Sequence, residues 1–452
     1  MNSINVINSK NAINSKNAIN NNNANNNASN NASNNASNND ITDNLYEYKK
    51  VLNFTDLILS NIGFIIGAGI FVLIGKTINI AGKLAWVSVI ISGLVIYFIS
   101  KSYIRVHAKY LSNNAEYLAI KDKYGLIMSN ISVIITFIAN IAIIYVVVLG
   151  FGSYLNSISN NVINSTVSSI IGLLLAVFIN IYGIELTTTI NNIFTISGII
   201  GLCLLILLGG FHIFNNWKTL SPNFKFNIKD IKYSNIINIL YGAFIFIFAY
   251  FGFELIIKLN AESINNETNI PEALNYSIWI SIIIYTLIAF VIIGIFGNNI
   301  DNTIKPLSIL INKITKNSFI IKYIELCGVS LTWTTILLSI TYSSRLITEF
   351  AQQNTIVNTV VNTISTSTLD DNKNINDNKN INDNKNINDN KNINILKIFK
   401  NINQNTHTPI NSIIFIAIIV LLLILIKFNI ISSTIIANGS ILIIMLLVYL
   451  SS

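Results

Sequence analysis

Residues 61–72 read Asn-Ile-Gly-Phe-Ile-Ile-Gly-Ala-Gly-Ile-Phe-Val and lie in an apolar run long enough to cross a bilayer. Each glycine destabilises a helix by about 1 kcal/mol relative to alanine, so Gly63, Gly67 and Gly69 favour a break within the span. Backbone N–H and C=O groups freed inside a membrane must be buried in protein or line a cavity. Because a bound molecule would supply their partners, this segment predicts a binding site within a membrane protein.

A second apolar span, residues 241–254, is also interrupted by glycines. It reads Tyr-Gly-Ala-Phe-Ile-Phe-Ile-Phe-Ala-Tyr-Phe-Gly-Phe-Glu, with glycines at Gly242 and Gly252 and the carboxylate of Glu254 at its end. Two interrupted spans at corresponding places in two halves of a chain indicate the binding site of a secondary transporter.

The composition agrees with a polytopic membrane protein. Of the 452 residues, 52% are hydrophobic and 11% are charged, whereas a soluble domain carries about 25% charged residues. The net charge of +8 is spread over loops and tails, which suits anionic lipid rather than nucleic acid. The two cysteines lie in apolar spans and the three histidines are scattered. We therefore expect no metal, no cofactor and no enzyme chemistry.

Two low-complexity segments divide the chain. Residues 1–44 are repeats of Asn, Ala, Ser and Ile, which we expect to be a disordered tail. A cytoplasmic linker is predicted for residues 351–409, and it contains the repeat Asn-Lys-Asn-Ile-Asn-Asp from Asn372 to about Asn394. Six-residue periods also occur in β-helices, but one Ile and no Gly per unit favour a flexible linker. Spans one to eight would occupy residues 45–350, and spans nine and ten residues 410–452.

Hydropathy predicts ten spans between these segments. They run near 54–75, 84–104, 126–150, 165–184, 191–212, 236–259, 273–297, 319–348, 410–428 and 431–450. The interrupted spans are then the first and sixth, as a five-plus-five inverted repeat requires. The second loop carries Arg105, Lys109, Lys121 and Lys123 and the third carries none, which favours a cytoplasmic amino terminus. Lysines in the fifth and seventh loops oppose that orientation.

Short motifs follow one another in order from about residue 50 to residue 450. They are Ile-Gly-Ala-Gly-Ile-Phe at 66–71, Asn-Ala-Glu-Tyr at 114–117, Tyr-Gly at 124–125, Phe-Ala-Tyr-Phe-Gly-Phe-Glu at 248–254, the acidic loop 261–273, Ser-Arg at 344–345 and Thr-Pro-Ile-Asn at 408–411. Together they resemble the amino acid–polyamine–organocation (APC) permeases. The resemblance implies an all-α membrane protein of about ten transmembrane helices with an APC/LeuT-like fold.

The resemblance also implies a substrate mode. N–H groups of the first span would bind the carboxylate of an amino acid, carbonyls of the sixth would bind its amino group, and Phe248 would cover it. The implied substrate-binding residues are Ile66, Gly67, Ala68, Gly69, Ile70, Phe248, Ala249, Tyr250 and Gly252. The glycines would otherwise serve only close helix packing. The partners would be a small-molecule substrate, either an amino acid or a polyamine, together with the lipid bilayer and a coupling ion.

Three residues are candidates for gating or coupling. Glu254 would orient or gate the sixth span, or contact substrate, and Lys258 four residues later would pair with it at a membrane boundary. Ser339 and Thr341 would offer hydroxyls to a sodium ion, or would hydrogen-bond back to their own helix.

Three more charged residues and one glycine carry expectations. Glu262 and Glu267 are expected to be solvated, and Arg345 to anchor the cytoplasmic end of span eight. Proton-coupled relatives carry a lysine in span five where this chain has Gly198, which leaves exchange, facilitated diffusion or sodium coupling open.

Two functions fit these observations. The first is a permease that moves amino acids or related amines by alternating access. The second is a receptor-like relative that binds amino acids without moving them, and a degenerate structural protein is disfavoured because both interrupted spans are kept. Flux would distinguish the first two.

Overall fold

The computed structural model describes residues 48–159, 162–225, 233–297, 306–370 and 397–452. Within these ranges the chain is helical, apart from loops and one isolated bridge between Leu52 and Ser263. The α-helices are α1 (Phe54–Ile65), α2 (Ala68–Ala81), α3 (Ala85–Tyr110), α4 (Ala115–Ile158), α5 (Ser165–Tyr182), α6 (Ile184–Asn215), α7 (Trp217–Leu220), α8 (Tyr233–Phe246), α9 (Asn266–Phe296), α10 (Pro306–Ile314), α11 (Ser318–Asp370), α12 (Ile410–Leu425) and α13 (Ile430–Ser451). The predicted tail at 1–44 and the hexapeptide repeat lie outside the described residues.

Eight helical stretches in the described ranges are long and apolar enough to cross a membrane. Two further apolar helices, α1 and α12, are shorter. The 16 residues of α12 rise about 24 Å, less than the roughly 30 Å of hydrocarbon in a bilayer. The all-helical, multi-pass prediction is confirmed, whereas the total of ten spans stays a prediction.

The first span breaks between α1 and α2. Its start is well defined, because Asn53 and Asp56 cap each other's backbone N–H groups at 3.1 and 3.0 Å. The helix ends at Ile65, and α2 starts at Ala68 after Gly67, whose backbone (φ −54°, ψ −120°) is not helical. The break therefore falls at the predicted glycines.

The sixth span breaks after α8. Two 3₁₀ segments, Ile247–Tyr250 and Phe253–Glu262, replace the α-helix and are separated by Phe251 and Gly252. Gly252 has φ +97°, which a residue with a side chain adopts only with strain. The prediction that spans one and six are both interrupted is confirmed.

The unbroken helices enclose these two spans. The pair α1 and α2 packs on α6, α8 and α9, and α8 packs on α3. Helix α11 lies between α4, α5 and α6. In the most apolar 18-residue stretch of this helix, 89% of the residues are buried. Beyond the boundary predicted at residue 350, α11 continues to Asp370. That extension keeps apolar residues at helical spacing among its Thr and Asn residues.

Candidate functional site

The two breaks lie against each other. A side-chain carbon added at Gly69 would stand 2.6 Å from the Cα atom of Ala249, so the backbones of the two spans are in direct contact. A side-chain carbon at Gly252 would overlap the ring of Phe64 at the end of α1. The glycines of each span thus permit the approach of the other span, and the unwound backbone of both is gathered in one place.

The first break presents N–H groups. The first N–H groups of a helix have no acceptor within it, and those of α2 begin at Ala68, Gly69 and Ile70. They carry the positive end of the helix dipole, which favours an anionic group. The close packing of the first break on α11 also depends on a glycine at position 67, because a side-chain carbon there would overlap the hydroxyl of Thr335.

Carbonyl oxygens of both breaks converge on one tyrosine. The hydroxyl of Tyr285 on α9 lies 2.7 Å from the oxygen of Ile65 and 3.0 Å from that of Ala249. Its side chain is fully buried. The hydroxyl links the two spans and marks the carbonyl pair as the negative side of the junction. Sequence analysis missed Tyr285, although a tyrosine within an Ile-rich span was a visible signal.

Aromatic rings surround the sixth-span break. Phe248 is half-buried and meets Phe251 edge to face at 5.4 Å, while its carbonyl accepts the N–H of Phe251. Tyr250 is buried, lies 5.1 Å from the ring of Tyr285 and donates to the carbonyl of Val89 on α3 at 3.3 Å. Phe248 is therefore the more accessible ring at the junction, and Tyr250 ties the break to α3.

The remaining predicted first-span residues fall at this junction too. Ile66 and Ile70 are fully buried, and Ile66 donates its N–H to Ile62 as the last helical bond of α1. The structure thus brings together the predicted substrate-binding set. Its role in binding stays a prediction.

The hydroxyls predicted for ion coupling bond elsewhere. Ser339 donates to the carbonyl of Thr335 at 2.6 Å, and Thr341 lies 2.6 Å from the Oδ1 atom of Asn180 and 3.0 Å from the carbonyl of Leu337. Both hydroxyls thus bond within α11, and that of Thr341 also reaches α5, while a role in ion coupling stays a prediction. The hydroxyl of Thr334 lies 3.3 Å from the oxygen of Gly63 in the first span, and it also bonds within α11.

Comparison with known proteins decides the family. The chain matches the family described as amino acid permease over residues 52–451. The chain belongs to the amino acid permease family. An uncharacterised protein of Methanocaldococcus jannaschii is 27% identical to this permease over 255 residues, which are 54% of the chain and 55% of the relative. The match thus spans little more than half the length of that relative.

Solved structures show the fold of the permease. A Na⁺-coupled sialic acid symporter in a substrate-bound outward-open state aligns with TM-score 0.50 and 11% identity, covering 86% of this chain and 75% of the symporter. A variant of the manganese transporter of Eremococcus coleocola aligns with TM-score 0.45 and 13% identity, covering 91% of this chain and 98% of the transporter. The symporter alignment confirms the predicted APC/LeuT-like fold.

One end of the permease holds a buried ion pair. The guanidinium of Arg345 on α11 reaches both carboxylate oxygens of Glu262, with the shortest N–O distance 2.6 Å, and both side chains are at most 1% exposed. The expectation that Glu262 is solvated is therefore wrong, because a buried guanidinium requires an acceptor. Glu267, in contrast, is exposed as expected.

The amino-terminal segment 48–53 is fastened to this pair. The carbonyl of Glu262 accepts the N–H groups of Val51 and Leu52, each at 3.0 Å, and Arg345 stacks over the ring of Tyr48 at 5.5 Å. Burial holds the pKa of Tyr48 well above its usual value, although Arg345 acts in the opposite direction. The neutral ring thus faces the guanidinium. Arg345 joins three segments at this end of the permease.

A second buried pair lies beside the sixth span. Lys258 bonds to Glu116 on α4 at 2.9 Å, and Glu254 accepts the N–H of Gly252 at 3.0 Å. The predicted pairing of Glu254 with Lys258 is wrong because Phe253–Glu262 is a 3₁₀ segment. With three residues per turn, residues four apart do not share a face.

Proposed function

We propose that this permease is a secondary transporter that moves amino acids or related amines across a membrane by alternating access. One observation carries the proposal: the helix breaks of spans one and six meet, so that N–H groups of one and carbonyl groups of the other adjoin. An amino acid carries a carboxylate and an ammonium group on one carbon. The junction offers complementary backbone groups to both.

The binding mode follows from these groups. The substrate carboxylate accepts hydrogen bonds from N–H groups in the segment Gly67–Ile70, helped by the dipole of α2. The ammonium group donates to carbonyls at Ile65 and Ala249, where the hydroxyl of Tyr285 stands. Phe248, half-buried at the same junction, covers the substrate. Backbone groups thus recognise the part common to all amino acids.

Closure of one end supports alternating access. The pair Arg345–Glu262 ties α11 to the end of the 3₁₀ segment of the sixth span, and the segment 48–53 leads directly into α1. Opening this end would separate those segments and release the inner half of each broken span. The permease is a multi-pass membrane protein, and we assign its amino terminus to the cytoplasm from the charge bias of its loops.

Flux through the purified protein tests the proposal. Liposomes containing the full chain are loaded with unlabelled amino acids and given a panel of labelled amino acids and polyamines outside. We expect saturable accumulation of at least one amino acid that protein-free liposomes do not show. Saturable binding without accumulation would instead establish the receptor-like function, and absence of both would overturn the assigned site.

A further inference from the structure

A small cavity lies beside the 3₁₀ segment Phe253–Glu262 of the sixth span. It has a volume of about 20 Å³ and lies between α3, α4, α13 and the 3₁₀ segment Phe253–Glu262. Its walls are formed by Tyr103, Glu116, Thr136, Ala139, Asn140, Glu254, Leu255, Ile441 and Ile444. A cavity needs roughly 10–15 Å³ to hold one water molecule, so this one accommodates a single small guest.

Polar atoms without partners line this cavity. Within the described part of the chain, the hydroxyl of Tyr103, the Oε1 atom of Glu116 and the Nδ2 atom of Asn140 are buried and make no hydrogen bond. The three side chains are 0%, 5% and 5% exposed. Native proteins leave few buried polar atoms unpaired, since each costs its lost hydration. Two donors and one acceptor in one small space favour a polar guest.

The charges around the cavity do not balance. Two carboxylates, Glu116 and Glu254, adjoin one ammonium group, that of Lys258, which leaves one negative charge in excess. Each of the three side chains is at most 8% exposed. An uncompensated buried charge is strongly unfavourable, and a group in such a place usually takes up a proton. One proton would make the trio neutral.

Among the described residues, the neighbouring elements supply no other positive charge that would balance the two carboxylates. Helix α3 contributes the neutral Tyr103, α13 contributes Ile441 and Ile444, and α11 brings Tyr342 near Glu254. On the other side of Lys258 stands the half-buried Glu349, which accepts a hydrogen bond from Asn113. The pair Arg345–Glu262 is neutral as a whole. These groups add negative charge or none.

A proton fits the cavity better than a metal cation does. Cations such as Na⁺ require several oxygen ligands, whereas Asn140 and Tyr103 present donors. Lys258 already occupies the other oxygen of Glu116. A water molecule can accept from Asn140 or Tyr103 and donate to Glu116, and so link the carboxylates.

We propose that this cavity is an exchangeable proton site, in which Glu254 and Glu116 share one proton through a water molecule. The proposal rests on the transport function proposed above. The proton enters from solution onto a carboxylate oxygen, which takes the trio from one negative charge to none, and it leaves to solution again. Glu254 holds the N–H of Gly252 and Lys258 holds Glu116 on α4, so proton occupancy acts on the inner half of the sixth span.

Uptake at two pH values tests the site. In the liposomes described above, uptake by the wild-type chain is expected to be about fivefold or more faster at an external pH near 5.5 than near 7.5, a coupling of ordinary size. In Glu254→Gln, which cannot release a proton, uptake should be the same at both values, whatever its rate. The matched control is Glu267→Gln, an exposed carboxylate in the first turn of α9, which keeps the wild-type ratio.

A second variant tests the same site if Glu254→Gln fails to fold. Tyr103→Phe keeps the cavity wall but removes a hydroxyl, and it should lower the pH ratio without altering the amount of protein in the membrane. Coupling is reciprocal, so uptake of protons from unbuffered solution when substrate is added gives a readout independent of labelled flux. Wild-type uptake that is equal at both pH values, or an unchanged ratio in Glu254→Gln, overturns the proton site. Absence of any uptake by the wild type would instead contradict the transport function.

Discussion

At the scale of single residues, Gly69 is the position where the two broken spans depend most directly on the absence of a side chain. Valine there would push against the backbone of Ala249, which cannot turn aside as a side chain can. We expect Gly69→Val to abolish uptake, because overpacking of about 1–3 kcal/mol would separate the two breaks. Radiolabelled uptake and membrane content are measured together. Gly150→Val is the control, since nothing lies within 4 Å of a side-chain carbon there.

Tyr285 allows a finer test of the same junction. Phenylalanine at this position keeps the ring but removes the hydroxyl that bridges the carbonyls of Ile65 and Ala249. A buried hydrogen bond contributes about 1 kcal/mol, so KM for uptake should rise roughly five- to tenfold. Tyr276→Phe on the same helix, whose side chain is 56% exposed, should leave KM unchanged. An unaltered KM in Tyr285→Phe would show that the carbonyl pair does not bind the substrate.

Individual residues also show what the sequence can and cannot predict. The breaks at Gly67 and Gly252 could be predicted because a glycine acts on its own backbone. Glu262 was misjudged because its partner Arg345 lies 83 residues away, and a polar loop carries no sign of that pairing. The space at Gly198 is also determined by a residue distant in sequence, because a side chain there would overlap the side chain of Leu331 on α11, which would have to move.

At the scale of elements, the pair Arg345–Glu262 holds together α11, the end of the 3₁₀ segment Phe253–Glu262 and the amino-terminal segment 48–53. Glu262→Gln would leave the guanidinium buried without its countercharge, which costs about 3–5 kcal/mol when a buried pair is broken. We expect a clear fall in the melting temperature of the purified protein. The exposed pair Lys49–Glu185 offers the matched control, because Glu185→Gln should change stability by no more than about 1 kcal/mol. Equal falls in melting temperature for Glu262→Gln and Glu185→Gln would contradict the conclusion that Arg345 joins these segments.

Helix type explains why charge partners in this region escaped prediction. Residues Phe253–Glu262 form a 3₁₀ segment, and its shorter turn directs Lys258 to Glu116 on α4 rather than to Glu254. Hydropathy identifies the span but not its helical period after the break.

At the scale of the whole molecule, the described helices pack around the two broken spans. Segment lengths and glycine breaks depend on local sequence, so the fold class could be predicted. The proton cavity could not, because α3, α4, α13 and span six meet there only after folding. Sequence order places its side chains far apart, and only packing leaves their polar atoms unpaired.

The hexapeptide repeat provides the last prediction. Residues 372–394 carry one Ile per unit among Asn, Lys and Asp, a composition that offers no apolar face to pack against the helices. Shortening a flexible connection changes the closure entropy only slowly with length, so α11 and α12 should still assemble after this stretch is removed. We expect the deletion variant to insert into membranes and to transport at the wild-type rate, measured as uptake per molecule in liposomes. Scrambling the same residues at constant length is the control. If the deletion variant inserts normally but loses flux while the scrambled variant keeps it, the length of this connection is part of the transport cycle, and its assignment as a passive linker is wrong.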